Sequence, residues 1–281
     1  MFKYLRSKNV FIMFILLFFI FISGCTIKTA SQMKEKSGNI VLLTYHGIKE
    51  ELETDDPWQF WRKTDDFNND MITIKESGVS VKSYNEVIDI INSGEEIVEP
   101  TIIIQFDDGL LSDYKFAYPI LSELNLKATF FISTGRASKA EKGFMSWEQI
   151  KEMYEYRNSD GERLFEFGGH GIHHTNLNQK DNESYDEWVE RLTLELEQPQ
   201  NDIEKHLGYK PNLYALPFGS AFGTKELEEL SKQLNYDLMR GWKEHKNNFT
   251  FSEPDNIVFF PVYNNTDIQS AINAALNEDD N

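Results

Sequence analysis

Cysteine occurs once in the 281 residues, at position 25. A chain with one cysteine forms no internal disulfide, so its fold has to rest on burial and hydrogen bonding. Positive charge is scarce too: 28 Lys and Arg stand against 46 Asp and Glu, a formal net charge of −18. Such a surface repels a phosphate backbone, which excludes nucleic acid as a partner. It also disfavours lying flat on anionic lipid. Long apolar runs are missing apart from residues 10–22, and that run is shorter than the roughly 20 residues a membrane-spanning helix needs. Internal repeats and low-complexity tracts are absent. Only one stretch, residues 26–38, is polar and small enough to read as a spacer.

The N-terminal segment combines Lys3, Arg6 and Lys8, no acid, the short apolar run and small residues after it, the pattern of an export signal. Ile22-Ser23-Gly24-Cys25 closes it and resembles the lipobox of bacterial lipoproteins, in which the cysteine is acylated. The expected organisation is a signal peptide over 1–24, a flexible linker over 25–38 and one domain over 39–281. The expected location is the extracytoplasmic face of the cell membrane, tethered by lipid on Cys25. Losing three cations and no acid with the signal takes the net charge from −18 to −21.

From Asn39 onward, short β-rich runs alternate with amphipathic stretches. Strands are expected at 40–45, 79–81, 101–106, 128–133, 164–167, 213–216, 236–239 and 257–262. Helices are expected at 66–77, 84–91 (capped by Ser83), 114–124, 147–154, 185–207, 225–234 and 267–276. The long helix should break or kink near Pro199, which lacks a donor. Alternation of this kind predicts an α/β fold, a parallel sheet closed into a distorted (β/α) barrel of about seven units. Barrel chemistry sits at the C-terminal ends of strands. His46, Asp107 with Asp108, His170, and Pro217-Phe218-Gly219 all fall just after expected strands.

Three of the six histidines lie together in Gly169-His170-Gly171-Ile172-His173-His174. His170 and His174 are four apart, a spacing that lets both reach one ion from a helical turn or a tight loop. Asp107-Asp108-Gly109 offers a carboxylate, and adjacent acids behind an Ile-rich strand need a partner to offset burial. Two imidazoles and a carboxylate make a catalytic metal site with a position left for water.

These motifs resemble those of the polysaccharide deacetylases, the NodB-like carbohydrate esterase family. Gln105-Phe106-Asp107-Asp108-Gly109 is similar to its Thr-Phe-Asp-Asp-Gly motif. His170-Gly171-Ile172-His173-His174 is similar to its His-Ser/Thr-x-x-His motif, and Tyr214-Ala215-Leu216-Pro217-Phe218-Gly219 to its third. The resemblance runs from about Ile40 to the C-terminus. It implies Asp107 as general base, Asp108, His170 and His174 as metal ligands, and the backbone N–H of Phe218 as an oxyanion donor. It implies one divalent ion, zinc first, with cobalt and nickel also suited to such ligands.

Three positions depart from the family pattern. The late Leu-x-His motif that carries the general acid is missing after Asn248, Ala215 stands where an Arg usually orients the base, and Gly171 replaces Ser or Thr. Leu43-Thr44-Tyr45-His46-Gly47-Ile48 resembles the opening strand of a circularly permuted subgroup that includes the poly-N-acetylglucosamine deacetylases. That match implies His46 as the general acid. His173 reads as a neighbour or substitute of His174, His206 as a structural cation at a helix end, and His245 as a loop residue. Arg240 and Trp242 read as possible cleft residues. The implied activity is metal-dependent removal of N-acetyl groups from N-acetylglucosamine residues of an extracellular polysaccharide, either poly-N-acetylglucosamine or peptidoglycan. The rivals are a non-catalytic glycan-binding or assembly lipoprotein and a deacylase of a small amide.

Overall fold

A computed structural model describes residues 39–52, 59–242, 248–249 and 257–277. The expected signal segment and linker, with Cys25, and also His245 lie outside the described residues. The strands are β1 (Ile40–Tyr45), β2 (Gly47–Lys49), β3 (Trp61–Lys63), β4 (Ser80–Val81), β5 (Thr101–Phe106), β6 (Ala128–Ile132), β7 (Phe165–Gly169), β8 (Leu213–Ala215), β9 (Leu238–Arg240), β10 (Asn248–Phe249) and β11 (Ile257–Pro261). The helices are α1 (Thr64–Ser77), α2 (Tyr84–Ser93), α3 (Tyr118–Leu124), α4 (Thr134–Ser138), α5 (Trp147–Glu155), α6 (Tyr185–Leu207), α7 (Lys225–Gln233) and α8 (Ile268–Leu276).

Seven parallel strands follow one another around a curled sheet in the order β9-β8-β7-β6-β5-β1-β11. β10 adds antiparallel to β9, and β4 pairs with the first half of β5. Among the described residues no ladder joins β9 to β11. Side chains cross that seam instead: the Arg240 guanidinium lies 5.7 Å from the Phe259 ring, and Trp242 meets the same ring edge-on at 5.2 Å. The distorted barrel of about seven units is therefore the architecture.

Alternation along each strand sorts the side chains. Val41, Leu43, Ile102, Ile104, Phe130 and Phe167 face outward and pack in one apolar cluster with α1, α5 and α8. Ile40, Leu42, Ile103, Phe131, Leu213 and Leu238 face inward, and Tyr84, Val87 and Ile88 of α2 close the barrel floor against them. Above this apolar floor lies a hydrogen-bonded polar layer. Tyr84 Oη donates to Gln105 Oε1 (2.7 Å), Gln105 Nε2 to Thr44 Oγ1 (2.5 Å), and Asn85 Nδ2 to Glu166 Oε1 (2.9 Å). Burial raises the Glu166 carboxyl above its ordinary range, against hydrogen bonds from Asn85, Ser83 and Thr129 that favour the charged form.

Ser83, Ser146 and Ser184 each close a capping box, satisfying donors that a helix start leaves free. The anticipated break at Pro199 does not occur: α6 runs unbroken from Tyr185 to Leu207. Pro199 cannot donate to the carbonyl of Glu195, but Tyr214 Oη does so at 3.0 Å. Tyr236 Oη donates to the next carbonyl, Leu196, at 2.8 Å. The buried Tyr214 hydroxyl thus replaces the one bond the proline removes, and Tyr236 adds a second bond one residue on. The segment expected as one helix over 114–124 begins instead as a π-helical turn, Asp113–Ala117, before α3.

Candidate active site

The inward rows of the barrel strands point at the site. On β1 the row Ile40, Leu42, Thr44 continues to His46. On β5, Ile103 and Gln105 lead to Asp107; on β7, Glu166 and Gly168 lead to His170. On β9, Leu238 and Arg240 lead to Trp242. One further step at a period of two past each strand places these side chains together at the C-terminal mouth. They line a cavity of about 380 Å³ with Phe60, Asp108, His174, Leu216 and Phe218.

Asp108, His170 and His174 each turn one ligand atom to a common point, all within 4.8 Å of one another. Asp108 Oδ1 lies 3.4 Å from His170 Nε2 and 3.3 Å from His174 Nε2. This oxygen is buried and accepts no hydrogen bond of good geometry. His170 Nδ1–H donates to the Ala215 carbonyl at 2.8 Å, which leaves the Nε2 lone pair facing the cluster. Burial pushes the His174 imidazole down to about 4, so that ring is available in the neutral form a cation requires. An orphaned carboxylate oxygen between two imidazole nitrogens fits a divalent ion.

The His170–His174 spacing is realised by a loop and not by a helix: Gly171 has φ +73° and His174 φ +56°. Glu195 of α6 shapes this loop, accepting from Ile172 N (2.8 Å) and from Thr175 Oγ1 (2.9 Å). A Cβ on Gly171 would stand 3.1 Å from Glu195 Oε2, and its φ suits glycine. Both facts account for glycine where Ser or Thr is usual.

Asp107 stands beside the cluster. Burial pushes its carboxyl upward, but the Arg240 guanidinium, with His170 and His46 adding to it, holds it below the usual carboxylate range. Arg240 Nη2 donates to Asp107 Oδ1. Arg240 is the register partner of Ala215 across β8 and β9. The cation missing at position 215 is supplied by the neighbouring strand. His46 Nε2 lies 4.0 Å from the other oxygen, Asp107 Oδ2, and burial keeps this imidazole below its ordinary value despite Asp107 and Asp108.

The remaining expectations separate cleanly. Phe218 sits in the turn Pro217–Gly219 with φ +59°, its ring 4.4 Å from that of His174. His173 points outward, 3.5 Å from Lys139 Nζ, and takes no place in the cluster. His206, in the last turn of α6, stacks on Trp147 at 4.2 Å, a structural place away from the cluster, and burial lowers its imidazole from the ordinary value. Arg240 and Glu195 are the site residues that local motifs do not single out. Arg240 and Trp242 were expected as possible cleft residues, and Trp242 lines the cavity; the pairing of Arg240 with Asp107 becomes visible only once β8 and β9 are set in register.

A family model described as polysaccharide deacetylase matches residues 95–239. The chain belongs to the polysaccharide deacetylase family. It is 28% identical over 144 residues to the putative polysaccharide deacetylase YxkH of Bacillus subtilis strain 168, covering 51% of this chain and 46% of that one. It is 22% identical over 231 residues to the poly-beta-1,6-N-acetyl-D-glucosamine N-deacetylase of Escherichia coli strain K12, covering 70% of this chain and 33% of that one. The chain thus spans less than half the length of either relative. In fold it is similar to the Streptococcus pyogenes deacetylase PplD in complex with acetate (TM-score 0.70, 20% identity, 85% of this chain and 99% of that). It is similar also to IcaB from Ammonifex degensii (TM-score 0.67, 20% identity, 85% and 98%).

Proposed function

We propose that this chain is a divalent-metal-dependent hydrolase that removes N-acetyl groups from N-acetylglucosamine residues of an extracellular polysaccharide. The observation that carries the reading is the convergence of Asp108, His170 and His174, with Asp107 and His46 beside them, at one barrel mouth. Family membership and the name of the Escherichia coli relative support the same chemistry. In this reading Asp108, His170 and His174 hold the ion, with zinc, cobalt and nickel all suited to two nitrogens and one oxygen. When bound, such an ion lowers the pKa of a water toward ~7 and polarises an acetyl carbonyl.

The chain's own groups do the rest. Arg240 occupies Asp107 Oδ1 and leaves Oδ2 to take the proton of the attacking water. Water adds to the carbonyl carbon, and the backbone N–H of Phe218 donates to the developing oxyanion. His46, acting in its protonated form, delivers a proton to the nitrogen as the C–N bond breaks, so that amine and acetate leave, and the proton Asp107 took from the water restores the imidazolium beside it. Trp242, Leu216 and Phe218 give the mouth apolar walls suited to a sugar face and an acetyl methyl. We further propose that the chain is exported and held at the membrane by lipid on Cys25, as its lipobox-like segment suggests.

The test is acetate release from N-acetylglucosamine oligomers and from peptidoglycan. Release abolished by chelator and restored by zinc or cobalt is the expected result, and the faster substrate identifies the glycan. A folded, metal-loaded chain that releases acetate from neither overturns the proposal in favour of glycan binding or a small amide.

A further inference from the structure

His46 is held in an unusual way. Its Nδ1 is buried and has no hydrogen-bond partner among the described residues. The ring of a working histidine is ordinarily oriented by a hydrogen bond at the nitrogen that faces away from the chemistry. Here flat contacts take that place. The His46 ring stacks on Phe60 at 4.6 Å with 20° between the planes, and Trp242 meets it edge-on at 5.4 Å.

The placement of Phe60 follows from register. β2 and β3 run parallel with Gly47 opposite Trp61, so the residues one step earlier, His46 and Phe60, are set side by side. Gly47 is needed for this, because a Cβ there would stand 2.1 Å from the Trp61 ring. Phe60 is itself secured from the C-terminal side. It also stacks on Tyr263 at 5.4 Å, and the carbonyl of its neighbour Gln59 accepts from Asn264 N at 2.9 Å.

A buried ion pair ties these pieces to the first strand. Arg62 Nη1 donates to the carbonyls of Tyr263 (3.3 Å) and Asn264 (3.0 Å). Its Nε and Nη2 grip Asp70 in a two-point bond at 2.9 and 2.7 Å. Asp70 also accepts from Tyr45 Oη at 2.9 Å, and Tyr45 precedes His46. The circuit Tyr45–Asp70–Arg62–Tyr263–Phe60 therefore begins and ends at His46, fixing its backbone from one side and its ring from the other.

We propose that Phe60 is a positioning residue for His46: its ring face sets the imidazole plane and keeps Nε2 directed at the reacting centre, in the role a hydrogen bond at Nδ1 would otherwise fill. The inference rests on His46 delivering the proton in the proposed reaction. Small displacements of a reacting group cost large factors in rate, so the effect belongs in kcat and not in KM.

The experiment is a double-mutant cycle on the full chain with an N-acetylglucosamine oligomer, with metal content and thermal melting measured for each variant. Phe60→Leu, which keeps bulk and removes the ring face, is expected to lower kcat about 10-fold or more and to change KM less than about 2-fold. Phe60→Tyr is expected to restore the rate. In a His46→Ala background, Phe60→Leu is expected to change kcat less than about 2-fold, because there is no longer a ring to hold. If Phe60→Leu does not fold, Phe60→Met takes its place in the cycle. A wild-type kcat in Phe60→Leu, or an equal loss with and without His46, overturns the role of Phe60. His46→Ala alone tests the underlying reading separately: a loss of about 10²-fold supports it, and no loss removes His46 from the mechanism and this inference with it.

Discussion

At Asp107 two requirements meet. The carboxylate has to remain charged while buried, and it has to keep one oxygen open to the cleft. Arg240 answers both by holding Oδ1. Both side chains are almost wholly inaccessible, 1% and 3% exposed, so removing one leaves the other as an unpaired buried charge. Arg240→Met should lower the unfolding free energy by about 3–5 kcal/mol. It should also reduce kcat by about 10²-fold or more, in denaturant titration and acetate-release assays respectively. Asp107→Asn should abolish turnover while the metal content of the purified chain stays at the wild-type ratio. A variant that keeps near-wild-type turnover would remove Asp107 as the base.

Among the secondary-structure elements, α6 shows best what a local rule misses. The rule that proline costs a helix a donor is correct at Pro199, and it leads to an expected interruption. The hydroxyl of Tyr214, delivered from β8, supplies the missing bond, and that of Tyr236, from the approach to β9, adds one to the next carbonyl. Sequence periodicity reveals α6 but not which distant side chains will mend it. Tyr214→Phe should therefore cost about 1–3 kcal/mol in urea unfolding, the penalty of a buried carbonyl left unpaired. The motif residues after β1, β5 and β7 were legible because a period of two carries the inward row one step beyond each strand. Arg240 was not legible as the partner of Asp107, because its relation to Ala215 exists only across a strand pair. The three-residue strands β2 and β3 were too short to carry a pattern, so the neighbourhood of Phe60 and His46 was hidden as well.

For the molecule as a whole, the barrel interior carries a titratable group that works against stability. Burial lifts the Glu166 carboxyl above the ordinary carboxylate range in the folded state. The unfolded chain therefore gives up this proton more readily than the folded one. The contribution of Glu166 is fully present below the unfolded pKa and is lost as pH rises through the raised folded pKa. Glu166→Gln, which keeps the acceptor for Asn85, should match wild-type stability at about pH 4 and exceed it at about pH 8. Urea midpoints at the two pH values check this, and a variant that is less stable at both would show that the charge itself is needed.

The last strand of the barrel, β11, lies beside the first, β1, and α8 is tied back to Asn39 through Ala274 and Ala275. A ribosome or an export channel releases a polypeptide from its N-terminus. His46 emerges early, yet the rings and carbonyls that brace its neighbour Phe60 arrive with Tyr263 and Asn264, some two hundred residues later. Every motif residue precedes the closing edge of the barrel in the chain. The order of synthesis therefore runs opposite to the order of completion: a chain interrupted before β11 carries Asp107, Asp108, His170 and His174 without the strand that flanks β1. A working site is thus a property of the finished fold, assembled only once the last strand is in place.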